Sequence, residues 1–131
     1  MLVVPNGVGP QLFPRRASDQ PPHMGPYPNS KFVAGQCTWY AASRRPVPWT
    51  GDAWMWFDAA KAMGYATGDT PEPGAFMVTW ESPYYGHVAY VEQVNEDGSF
   101  IVSEMNFNAP YVIDTRTLRS PHDVPLIGFI Y

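Results

Sequence analysis

Two periodicities divide the chain. In DAWMWFDAAKAMG, residues 52–64, apolar side chains recur at Trp56, Ala59, Ala60 and Met63, the spacing that places them on one helical face. Gly51-Asp52 offers a capping start and Gly64 a residue able to take a left-handed stop. A shorter helix is predicted from Cys37 to Arg45, where TWYAASRR supplies good helix formers and ends in two cations before Pro46. Beyond residue 70 the alternation is that of strands. TPEPGAFMVTW predicts a Pro-Gly turn and a strand over about 75–80, GHVAYVEQV one over about 87–94, and FIVSEMNF one over about 100–107. YVIDTRTL and LIGFIY predict two more. Helices first and a largely antiparallel sheet afterwards make an α+β domain.

The first thirty residues lack both periods. They hold seven of the fifteen prolines, and none falls between Ser30 and Arg45. Such density removes backbone donors and favours extended structure, so residues 1–30 read as an arm or linker and the domain is expected over residues 31–131. No internal repeat or heptad is present.

Composition narrows the classes. A chain of 131 residues suffices for one hydrophobic core, and 45% apolar residues with five Trp, eight Tyr and seven Phe exclude a disordered protein. With a net charge of -4 and basic residues paired only at Arg15-Arg16 and Arg44-Arg45, no footprint for phosphates exists, and nucleic acid is not the expected partner. No apolar run approaches the roughly 18 residues that span a bilayer, and MLVVPNGVGPQLFPRR lacks the charged start and apolar centre of a secretory signal. Neither membrane insertion nor ordinary signal-peptide export is expected, and a monomer is.

The single cysteine, Cys37, cannot form an internal disulfide, and with three scattered histidines it gives no zinc spacing. It is either packing or a nucleophile, and taken alone it would be packing. The hairpin downstream alters that balance. If Asp97-Gly98 forms a two-residue turn, Val91 faces Glu104, Ala89 faces Asn106 and His87 faces Asn108. His87, Glu104 and Asn106 then project from one face, whereas a three-residue turn would send Glu104 and Asn106 to the other.

Such a face suits a thiol. An imidazole takes the thiol proton, a carboxylate or carboxamide on its other nitrogen fixes the ring, and a helix N-terminus favours the thiolate. The Cys37 N–H and the Gln36 side chain are candidate donors to the oxyanion of a tetrahedral intermediate. The layout points to attack on an amide carbonyl.

The stretches GQCTWYAASR, PEPGAFMVTW, GHVAYVEQVNEDGSFIVSEMNF and IGFIY resemble, in order, the CHAP domain family of cysteine, histidine-dependent amidohydrolases and peptidases in the papain-like superfamily. The resemblance covers about residues 31–131, and its most specific blocks are GQCTWY and SEMN. It implies a papain-like fold with N-terminal helices packed on the sheet, Cys37 as nucleophile, His87 as general base and Glu104 orienting the imidazole. Asn106 matches the family's further polar position and would assist Glu104 or take over its role. The implied substrate is bacterial peptidoglycan, cut at an amide bond by an amidase or endopeptidase acting at the cell wall, with no cofactor. Some phage members carry a calcium loop of aspartates ahead of the cysteine; here the only acidic residue before Cys37 is Asp19, so no calcium is expected there.

Other readings of the same residues are a thiol amidase on a small peptide conjugate and a non-catalytic wall-binding module. Delivery is open between release as a phage lysin, carriage on a virion, injection as an effector and excision from a larger hydrolase. Tyr84 and Tyr85 in WESPYYG, with Trp49, are the expected substrate contacts, while Trp39 and Trp80 are expected in the core and His23 and His122 on the surface.

Overall fold

A computed structural model describes residues 16–17 and 25–131. Two helices precede the sheet: α1, Cys37–Arg44, and α2, Trp56–Ala62. The strands are β1 (Thr67–Gly68), β2 (Phe76–Thr79), β3 (His87–Val94), β4 (Phe100–Met105), β5 (Ile113–Leu118) and β6 (Leu126–Ile130). They form one antiparallel sheet in the order β1-β6-β2-β3-β4-β5. This is the expected α+β arrangement, with α1 packed on β3 and β4 and α2 on β6. No helix among the described residues is long and apolar enough to cross a membrane. Most of the expected proline-rich arm, His23 included, lies outside the described residues.

Several bounds differ from the sequence expectation for local reasons. The run starting at Asp52 begins as a 3-10 turn, Ala53–Met55, and Asp52 makes no side-chain cap. Gly64 stops α2 with φ 84°, as expected, yet Met63 is exposed while Trp56 and Ala60 are fully buried. Strand β4 ends at Met105 because Asn106 turns left-handed, φ 58°, and β5 starts only at Ile113 because Tyr111 does the same at φ 66°. Strand β1, two residues paired to Ile130 and Phe129, is too short for alternation to reveal.

Both sheet faces carry a buried apolar cluster. The helical face packs Trp56, Phe76, Val78, Val88 and Ile130. Trp56 is its hub, with ring centroids 5.2 Å from Phe32, 5.7 Å from Trp49 and 5.3 Å from Phe76. Trp49, expected to touch substrate, is instead 5% exposed and wedged between Trp56 and Tyr65, so it belongs to the core. On the opposite face lie Met77, Ala89, Val91, Phe100, Val102 and Phe129. Phe100 and Phe129 meet edge to face at 5.9 Å although β4 and β6 are separated by β2 and β3. In a flat sheet those strands would stand about 14 Å apart, so the sheet is strongly curled and closes this second core on itself.

Arg45, one of the two cations expected at the helix end, is 3% exposed. Its Nη1 donates to the carbonyls of Gly74, Ile130 and Tyr131, which ties the end of α1 to β6.

The β3–β4 hairpin differs from the expected one in two places. Its turn has three residues, Glu96-Asp97-Gly98, closed by Asn95 N–H to Ser99 O at 2.8 Å and by Asp97 Oδ1 accepting from the Ser99 N–H at 3.0 Å. That shift alone would have reversed the face of Glu104. A bulge at Glu92 reverses it again: Gln93 faces Ile101, but Val91 faces Val102. Val91 thus meets Val102 instead of Glu104, a slip of two residues, and two is the side-chain period. The extra residue has its own anchor, since Glu92 accepts from Ser103 Oγ at 2.6 Å and pairs with Arg44 of α1.

Candidate active site

Gly35 sets the entry to α1. Its φ is 85°, and a Cβ there would stand 2.7 Å from the Tyr111 ring, so only glycine fits without displacement. Tyr111 N–H donates to Gly35 O at 2.9 Å and holds the turn. Gln36 follows in extended conformation at the N-cap without capping through its side chain, and Cys37, partly exposed, is the first helical residue. The first-turn N–H groups beside the sulfur therefore have no side-chain cap.

His87 opens β3 by a similar device. Gly86 has φ 68°, and a Cβ on it would lie 2.7 Å from the Trp54 backbone nitrogen. The chain thus turns tightly against Trp54 and enters β3 with His87 opposite Thr79. His87 is 4% exposed, and its Nε2 bonds Glu104 Oε1 at 2.8 Å. The bond occupies Nε2 and leaves Nδ1 for another partner, and Cys37 is among the groups that act on the ring. Burial alone would lower the imidazole pKa; the bonds to Cys37 and Glu104 outweigh it and raise the group from 6.5 to about 9. Burial likewise works against the Glu104 carboxylate, but bonds from His87 and Arg116 hold it below its ordinary value.

Asn106 does something other than expected. Its Nδ2 donates to Gln36 Oε1 at 2.6 Å, while Glu104 is the side chain that bonds the imidazole. With the Gln36 oxygen engaged, its Nε2 is the end left to donate.

A cleft of about 400 Å3 runs past Gln36, Cys37 and Thr38 on one side and Asp52, Tyr85 and Gly86 on the other. Tyr85 is 65% exposed and lines it; Tyr84, 81% exposed, sits on the same loop outside the lining. Trp80, expected in the core, is instead 43% exposed and stacks on Trp54 at 5.6 Å. Trp39, expected in the core, is partly buried against it and meets Tyr111 edge on at 6.0 Å. His122 is exposed, also as expected. Among the described residues no three His, Cys, Asp or Glu side chains group as a metal site requires.

Sequence reasoning missed Arg116 and Glu81. Arg116 donates from Nε to Glu104 Oε2 at 2.6 Å and from Nη2 to Glu104 Oε1 at 2.8 Å, and its Nη1 reaches Glu81 Oε2 at 2.8 Å. The available signal was Arg116 alternating with exposed threonines in β5, which turns it toward the face of Glu104. Nothing local marked Glu81.

The CHAP domain sequence profile matches residues 26–106. The probable autolysin SsaALP of Staphylococcus aureus (strain NCTC 8325 / PS 47) is 42% identical over 107 residues, covering 76% of this chain and 40% of that protein. The staphylococcal secretory antigen SsaA of the same strain is 44% identical over 93 residues, or 68% of this chain and 36% of the antigen. The chain thus spans about two fifths or less of the length of these curated relatives. The crystal structure of an N-acetylmuramoyl-L-alanine amidase from Staphylococcus aureus superposes with a TM-score of 0.66 at 34% identity, over 73% of this chain and 30% of that one. The crystal structure of Ly7917, at 16% identity and a TM-score of 0.53, covers 78% of this chain and 56% of its own and shares the fold. With a profile match over most of its length and relatives above 40% identity, the chain belongs to the CHAP domain family.

Proposed function

We propose that residues 31–131 form the catalytic domain of a peptidoglycan hydrolase that cleaves an amide bond through Cys37 at the bacterial cell wall. The observation that carries this reading is a buried His87–Glu104 bond of 2.8 Å beside a partly exposed cysteine at the first position of a helix, in an open cleft. The autolysin and amidase names of the relatives support the wall as substrate.

The chemistry follows from the geometry. His87 takes the proton of the Cys37 thiol and, bonded to Glu104, holds it as an imidazolium. The sulfur attacks the amide carbonyl carbon, and the oxyanion is met by the Cys37 N–H and by Gln36 Nε2, which Asn106 aims. His87 gives its proton to the leaving amine as the C–N bond breaks, leaving a thioester. Water, deprotonated by His87, then attacks the thioester, releases the acid and restores the thiolate–imidazolium pair. Glu104 remains ionised throughout and stabilises each imidazolium. Tyr85 at the cleft, with Tyr84 and the Trp80–Trp54 stack nearby, gives an aromatic rim for an extended substrate.

Purified cell walls test the reading. Wild-type protein should release new amine and carboxyl ends while Cys37→Ala releases none, and mass spectrometry of the fragments identifies the bond as muramoyl-alanine or peptide. Equal lysis by the Cys37→Ala variant would overturn the proposal.

A further inference from the structure

Glu104 is completely buried and accepts three hydrogen bonds, one from His87 and two from Arg116. Arg116 spends its remaining capacity on Glu81, with Nη1 at 2.8 Å and Nη2 at 3.1 Å from the two carboxylate oxygens. Glu81 is fixed in turn by Thr79 Oγ1, which donates to it at 2.9 Å, and Thr79 is the cross-strand partner of His87. Phe107 covers the group, 3.9 Å from the Arg116 guanidinium carbon and 5.6 Å from the His87 ring.

Charge counting gives these contacts a purpose. A buried carboxylate bridged to a guanidinium is a neutral pair, and a neutral pair lends an imidazolium little beyond its hydrogen bond. Adding Glu81 makes the set carboxylate–guanidinium–carboxylate, with a net charge of one negative unit beside His87. We propose that Glu81 and Arg116 are positioning residues for the catalytic histidine: Arg116 holds the Glu104 carboxylate by its fork, and Glu81 cancels the positive charge that Arg116 would otherwise set against the imidazolium. Of the other titratable groups nearby, Cys37 acts on His87 directly, Asp52 lines the cleft and Asp114 is the cross-strand neighbour of Glu104. None of these three touches the Arg116 guanidinium among the described bonds.

The inference rests on the Cys37–His87 reading, and its first two readouts need no substrate. The readouts are the NMR titration of the His87 ring and the pH dependence of Cys37 alkylation by iodoacetamide. Glu81→Gln keeps the shape and removes the charge, so the His87 midpoint should fall by about half a pH unit or more, with the alkylation profile following. Asp114→Asn removes a carboxylate outside the relay and should leave both where they are. Arg116→Lys retains the charge but loses the fork, and should lower kcat on cell walls roughly three- to tenfold with KM unchanged. An unmoved His87 midpoint in Glu81→Gln, an equal shift in Asp114→Asn, or an unchanged kcat in Arg116→Lys would overturn the proposal. Should Glu81→Gln fail to fold, Thr79→Val, which removes only the hydroxyl that orients Glu81, is expected to shift the midpoint in the same direction, and no shift would count against it. Normal titrations in a protein that cleaves no cell wall would instead strike the proposed function.

Discussion

Asn106 reaches from the end of β4 to the residue before the nucleophile, its Nδ2 donating to Gln36 Oε1 at 2.6 Å from a backbone held at φ 58°. The bond fixes which end of the Gln36 amide can donate into the cleft. Asn106→Gly keeps the left-handed backbone and loses the bond. Turnover of cell-wall fragments is expected to fall about tenfold, with little change in KM or melting temperature, because in the proposed mechanism only the Gln36 donor is left unaimed. A steady-state comparison with wild type decides it.

The His87 pair has a pH signature. Its folded pKa, about 9, lies above the ordinary 6.5, so its contribution to stability is fully present below 6.5 and is lost as pH rises through 9. Glu104 has the opposite sign: its depressed folded pKa gives a contribution present above the ordinary carboxylate range and lost as pH falls through the folded value. Urea unfolding at several pH values should show stability declining between pH 6.5 and 9, and Glu104→Gln should flatten that slope. The alkaline limb of hydrolysis should lie near pH 9 in wild type and move toward neutrality in Glu104→Gln.

Gly35→Ala places a methyl 2.7 Å from the Tyr111 ring at a φ of 85°. Strain and overlap together should cost about 1–3 kcal/mol of stability and displace Gln36 and Cys37. The double variant with Tyr111→Ala removes the overlap but not the strain, so partial recovery of activity is expected. Thermal unfolding beside an activity assay measures both parts.

Two aromatic substitutions should separate core from rim. Trp49→Ala empties a site 5% exposed and is expected to cost about 3–5 kcal/mol of stability. Tyr85→Ala, on a side chain 65% exposed at the cleft, should raise KM severalfold and leave melting within a degree or two. Melting curves and kinetics on wall fragments distinguish the pair.

The sequence was most informative where chemistry and local geometry coincide. Cys37 at a helix start, His87 at a strand start and Glu104 on the next strand each follow from a period or a turn signal, and His87 and Glu104 bond at 2.8 Å. The route was different: the turn is one residue longer than Asp-Gly suggests, and the Glu92 bulge compensates, because Arg44 and Ser103 draw Glu92 out of the ladder. That pull comes from another element and leaves no mark in the hairpin's own sequence. Arg116 and Glu81 were hidden for the same reason, being 35 residues apart and joined only once β5 lies beside β4. Trp49 is buried and Trp80 exposed, the reverse of the expectation, since local patterning cannot tell which indole the Trp56 hub will admit.

The compensating turn and bulge also decide how this hairpin can change length. A single inserted or deleted residue between His87 and Glu104, unless a second irregularity absorbs it, carries the carboxylate to the far side of the sheet and strips the imidazole of its partner. A change of two residues leaves both side chains on the same face. The segment is thus tolerant in even steps and intolerant in odd ones, a rule that loop grafting between relatives of this domain would have to obey.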